Sequence, residues 1–97
     1  MRKSDIITLI GDKTGIPKVD VLIIVESLFK EIKESVIEGE PVFLRGFGTF
    51  YPKKRAAKIG RIVKRNIAIK IPEHYIAGFK PGKEFGKDVK TKCKKPM

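Results

Sequence analysis

The stretch KKRAAKIGRIVKRNIAIKIP, residues 53–72, holds eight cations (Lys53, Lys54, Arg55, Lys58, Arg61, Lys64, Arg65, Lys70) and no acidic residue. In its second half Ile67, Ile69 and Ile71 alternate with Ala68 and Lys70, the period of two of a β-strand. Lys54 to Gly60 is expected to pair with that strand across a tip near Val63 to Asn66, where Asn66 tolerates a positive backbone torsion. Ten residues at about 3.3 Å each reach roughly 30 Å. A ribbon of two strands cannot bury both faces, and like charges along it repel. The sequence therefore predicts an arm, about residues 53–72, that stays mobile until an anion binds it.

Outward from the arm the charge is uneven. Residues 1–40 carry six Lys/Arg against eight Asp/Glu, net −2, and residues 41–97 carry sixteen against three, net +13, within a total of +11. A regional cationic surface of this density is the footprint of a protein that meets a polyanion, and double-stranded DNA leads the candidates. A membrane surface is set aside, because it calls for a basic helix with an aromatic or leucine face and the basic stretch reads as strand. No apolar run is long enough to span a bilayer, and Met1-Arg2-Lys3-Ser4-Asp5 does not open a signal peptide. The expected location is cytoplasmic. A lone Cys93 suits a reducing compartment and offers neither an internal disulfide nor a metal site, and no cofactor is implied.

Upstream, Ser4-Asp5 reads as a hydroxyl cap and first-turn acid of a helix that stops at Gly15. Pro17 opens a second helix, in which Val21, Leu22, Val25, Leu28, Phe29, Ile32 and Val36 recur at spacings of three and four until Gly39. After Pro41 the period changes. Val42-Phe43-Leu44 and Thr49-Phe50-Tyr51 read as strands flanking a Gly46-Phe47-Gly48 turn. Downstream, Ile76 to Lys80 reads as a returning strand and Pro81-Gly82-Lys83 as the start of a short helix, with a disordered basic tail over residues 91–97. The expected class is α+β: a helical pair, a three-stranded antiparallel sheet, the arm and a short C-terminal helix in a single domain over residues 1–90. The body left after removing arm and tail is small, yet it holds Phe29, Phe43, Phe47, Phe50, Phe79 and Phe85. A homodimer that joins two half-cores resolves this excess of aromatic surface.

Several pieces lie together in order: Gly46-Phe47-Gly48-Thr49-Phe50, Arg55-Ala56-Ala57-Lys58, Gly60-Arg61, Ile71-Pro72 and Phe79-Lys80-Pro81-Gly82-Lys83. Over residues 1–90 the chain resembles the bacterial histone-like HU and integration host factor family. That resemblance implies an intertwined homodimer whose two β-ribbon arms embrace DNA in the minor groove. By position it implies DNA contacts from Arg55, Lys58 and Arg61 in the arm, from Lys80 and Lys83 in the body, and from Lys3 near the N-terminus. Phe47, Phe50 and Phe79 match the aromatic dimer core. Lys53, Lys54, Lys64, Arg65 and Lys70 join the candidates as neighbouring cations of the arm.

The chain also departs from the family pattern. Arg61-Ile62-Val63 replaces the usual Arg-Asn-Pro at the tip, so Val63 stands where a wedging proline is expected, and a branched aliphatic side chain can also enter a base step. The alternative is that Ile62 and Val63 only favour strand. Arg65-Asn66 replaces Thr-Gly, and Pro17 replaces a hydroxyl cap. The arm lacks the Asn or Gln pairs that read adenine in the major groove, so the implied function is architectural, largely sequence-independent DNA binding and bending in the nucleoid. A site-preferring bender and an RNA binder are the alternatives. His74, the single histidine, has no pattern pairing it with a nucleophile or metal ligands, so neither catalytic nor metal residues are expected.

Overall fold

The computed structural model describes residues 1–62 and 67–94, the side chains of residues 61, 62, 67 and 68 excepted. The elements run α1 (Lys3–Thr14), α2 (Lys18–Ile37), β1 (Val42–Leu44), β2 (Gly48–Arg55), β3 (Lys58–Ile62), β4 (Ile67–Ile71), β5 (His74–Pro81) and α3 (Lys83–Lys92). They fall into two compact units, Met1–Glu34 and Ser35–Met97.

In the first unit the apolar period of the sequence becomes a helical pair. Ser4 is not the cap expected for α1. The helix starts two residues earlier, with Arg2 as the extended N-cap residue, and the Asp5 carboxylate accepts a hydrogen bond from the Arg2 backbone N–H at 2.8 Å. At the other end Gly15 turns left-handed at φ 76° and donates its N–H to the Gly11 carbonyl at 2.9 Å. Pro17 then precedes α2, where its carbonyl accepts the N–H groups of Asp20 and Val21 at 3.0 and 3.1 Å. Ile7 of α1 and Val21 of α2 are the buried apolar side chains, and an ion pair between Lys3 and Glu26 joins the two helices. Much of the apolar stripe lacks cover within one chain: Leu9, Leu22, Leu28 and Phe29 all remain exposed.

The second unit opens on the last turn of α2, closed by Gly39 at φ 90°, with the Gly39 and Glu40 N–H groups on the Val36 and Ser35 carbonyls. Its sheet has the order β1-β2-β5, antiparallel throughout. The turn from β1 to β2 is closed by the Phe47 N–H on the Leu44 carbonyl at 2.9 Å, and Gly46 supplies the positive φ of 82° that it needs. In register, Val42 opposes Phe50, which opposes Phe79. Phe79 packs on Phe50 at 4.7 Å between ring centroids and on Phe47 at 5.3 Å, and Phe85 of α3 stacks on Phe47 at 5.4 Å. Gly48 makes this cluster possible, because a Cβ there would stand 2.6 Å from the Phe79 ring and from the Lys80 carbonyl. The Gly82 N–H donates to the Phe47 carbonyl at 2.8 Å, fastening the entry of α3 to the same turn.

Beyond the end of β1, β2 and β5 continue as a two-stranded ribbon to Arg55 opposite His74. Pro52 lies in this part, where β2 has an open edge and a residue without an N–H is tolerated. Pairing resumes with Lys58 opposite Ile71 and runs to Ile62 opposite Ile67. The expected pairing of Lys54 to Gly60 with Ile67 to Ile71 is thus displaced: Lys54 and Arg55 belong to the β2–β5 ladder, and β3 begins at Lys58. Pro72 explains the break, since it has no amide to donate. The register stays in step across the gap, with two unpaired residues on each strand, Ala56-Ala57 and Pro72-Glu73. At the C-terminus α3 carries on through Thr91 and Lys92, where an irregular tail was expected.

Candidate nucleic-acid interface

Side chains of a strand alternate between faces, so the register sorts the candidate cations. On one face of the sheet lie Phe50 and Phe79, with Val42 and Leu44 beside them. The opposite face carries Phe43, Thr49 and Lys80 in one cross-strand row, then Tyr51 with Gly78, Lys53 with Ile76, and Arg55 with His74. The Tyr51 ring lies flat over Gly78, where an added Cβ would come within 2.9 Å of it. Lys53, Arg55 and Lys80 are exposed on this second face. A row of cations on a sheet whose other side is phenylalanine gives the unit one charged surface and one apolar surface.

Lys54 departs from that row. It shares the face of Phe50 and Phe79, opposite Tyr75, and its Nζ lies 3.1 Å from Glu73 Oε1. In the outer ladder Lys58 is exposed opposite Ile71, and Lys70 is exposed opposite Ile59 on the other face. Arg61 pairs through its backbone with Ala68. Val63, Lys64 and Arg65, and the Arg61 side chain, all expected at the DNA, lie outside the described residues. Lys83 is the first residue of α3, exposed next to the Gly82 cap, a position at which free backbone amides add to the attraction for a phosphate. Lys3, in the first unit, is engaged with Glu26; such an exposed pair is weak enough to exchange for a phosphate partner.

The structure thus brings Lys53, Arg55 and Lys80 onto one face, separates Lys54 from them, and gathers Phe47, Phe50 and Phe79 into one cluster with Phe85. Sequence reasoning missed Tyr51, Thr49 and His74 as neighbours of those cations. The signal was the parity of residue numbers along β2, readable once its register with β5 is known. It also counted Phe43 only among the six phenylalanines in need of cover and gave it no place in the site, whereas Phe43 sits on the cationic face and is 75% exposed. Among the described residues no group of three or more His, Cys, Asp or Glu is placed to hold a metal ion, and no helix is long and apolar enough to cross a membrane.

Known proteins resemble this chain in sequence and fold. The family model described as Bacterial DNA-binding protein matches residues 1–90. Integration host factor subunit beta from Marinobacter nauticus is 36% identical over 96 residues, covering 98% of each chain. DNA-binding protein HU from Clostridium pasteurianum is 38% identical over 85 residues, 88% of this chain and 93% of that protein. Among solved structures, the Anabaena HU–DNA cocrystal structure superposes with a TM-score of 0.88 at 30% identity, over 94% of this chain and 99% of that one. With a family match over residues 1–90, relatives at 36% and 38% identity and a fold shared with a solved HU structure, the chain belongs to the bacterial DNA-binding protein family of HU and integration host factor.

Proposed function

We infer that this chain is an architectural protein of the bacterial nucleoid, which binds and bends double-stranded DNA as a homodimer with little regard to sequence. The single observation carrying the reading is the two-sided sheet of the second unit, with Lys53, Arg55 and Lys80 on one face and the phenylalanine cluster on the other. The first face suits phosphates. Each Lys or Arg that neutralises one releases condensed counterions, an attraction blind to base sequence. The second face suits another copy of the chain, since Phe47 and Phe79 remain 47% and 37% exposed within one protomer and a second half-core would cover them.

Arg55, Lys58, Arg61, Lys64, Arg65 and Lys70 then line arms that follow the minor groove, while Lys3, Lys53, Lys80 and Lys83 meet the backbone nearer the body. Lys54, turned to the other face and paired with Glu73, contributes least of the arm cations. Lys90, Lys92, Lys94 and Lys95 add non-specific attraction. Val63 enters a base step in place of the family's proline. Bending the duplex costs on the order of 1–6 kcal/mol, which these contacts offset, so nicked or already bent DNA binds better. A non-catalytic role is part of the proposal, and protein-dependent hydrolysis of nucleotides or DNA would contradict it.

Likeness to an integration host factor subunit over nearly the whole chain supports a second reading, a bender that prefers particular sites. Footprinting on mixed-sequence DNA separates the two: uniform protection supports the first, discrete protected sites the second. Competition with duplex RNA in the same titration tests RNA as the main ligand, against which the wide A-form minor groove already argues. Absence of any gel retardation at low salt would overturn DNA binding itself.

A further inference from the structure

Phe43 is the phenylalanine of the sheet that stands apart from the ring cluster. It is the middle residue of β1, opposite Thr49, with Val42 and Leu44 half-buried on the other face of the sheet. Its side chain is 75% exposed, the most exposed of the Phe and Tyr side chains. Two strand spacings away in the same cross-strand row, about 10 Å, lies Lys80. Lys53 and Arg55 follow along β2 on the same face, and Tyr51 lies between them and Thr49. A ring this exposed on the cationic side of the sheet takes no part in the phenylalanine cluster of the other face.

We propose that Phe43 is a DNA-contacting residue whose ring packs against deoxyribose and the wall of the minor groove, between phosphates held by the cations of its own sheet face. The proposal rests on the DNA-binding reading above and deepens it. Charge complementarity selects the occupant: Lys80, Lys53 and Arg55 draw a polyanion onto this face, and the apolar part of a duplex backbone is the C–H surface of its sugars. The packing gives the site a share of affinity that releases no counterions, because burying an apolar ring does not neutralise a phosphate. Phe43 therefore holds DNA at salt concentrations where the lysines alone release it, without reading a base.

The test compares wild type, Phe43→Ala, Phe43→Leu and Lys80→Ala by fluorescence anisotropy on one duplex of mixed sequence at several salt concentrations, with sedimentation of each free protein. The expected result is that Phe43→Ala weakens binding roughly tenfold, about 1.4 kcal/mol, at every salt concentration with an unchanged salt slope. Phe43→Leu recovers most of the loss, Lys80→Ala flattens the slope, and every variant sediments as wild type does. Phe43→Ala binding with wild-type affinity overturns the proposal while leaving DNA binding intact. So does Phe43→Ala sedimenting as a smaller species than wild type, which would place the ring in the subunit contact. A wild type that shows no binding at low salt overturns the underlying reading, and with it this one.

Discussion

Lys53 and Lys54 are adjacent, equally charged and both exposed, yet β2 sends them to opposite faces, so Lys53→Ala and Lys54→Ala form a matched pair. Lys53 shares a face with Arg55 and Lys80; Lys54 lies beside Glu73 at 3.1 Å. If a dimer engages about eight phosphates, log affinity falls against log salt with a slope near −7. Removing Lys53 takes two of those contacts, one per protomer, and brings the slope to about −5.4. Between 50 and 200 mM salt the wild type then loses roughly four decades of affinity and Lys53→Ala roughly three. For Lys54→Ala the slope is expected to stay within about 0.5 of wild type, because the lost cation was largely balanced by Glu73 and faces away from the others. Anisotropy titrations of one labelled duplex at four salt concentrations measure all three. Equal changes of slope in the two variants would refute the division of the sheet into a DNA face and a dimer face.

Phe79→Ala removes the ring that touches Phe47, Phe50 and Phe85, and is expected to cost about 3–5 kcal/mol per protomer, read by urea denaturation. The wild-type midpoint should rise with protein concentration, since a hundredfold change shifts a dimer's stability by about 2.7 kcal/mol; a midpoint independent of concentration would sink the homodimer. Gly48→Ala forces a methyl to 2.6 Å from the Phe79 ring and the Lys80 carbonyl and is expected to destabilise by about 1–3 kcal/mol, with wild-type stability as the contrary result. Val63→Ala should reduce the DNA bend seen by end-to-end energy transfer without abolishing binding, and unchanged bending removes the wedge.

The helical pair was readable because twenty residues of one period leave little choice, and Gly15 and Gly39 mark both ends in the sequence and in the structure. The start of α1 was not. Ser4 and Asp5 are both competent near a helix start, and only geometry shows that the carboxylate of Asp5 reaches back to Arg2. Alternation announced strands in the arm, but the ladder there depends on an amide that Pro72 lacks, which moved the pairing to Lys58. In Val42-Phe43-Leu44 all three residues are apolar, so the sequence offers no contrast from which to choose the inward face. Register with Phe50 makes that choice and turns Phe43 outward. The cations were legible as a group for the opposite reason, since none has to be buried and their number alone sets the field.

The unpaired step at Ala56-Ala57 and Pro72-Glu73 divides the ribbon without shifting its register. Such a step acts as a pivot: the distal strands can swing or twist there without rupturing a single ladder bond, while the root keeps its alignment. Duplexes of unequal groove width, from stiff A-tracts to nicked junctions, can then be grasped by one pair of fingers whose knuckles, rather than whose bones, take up the difference.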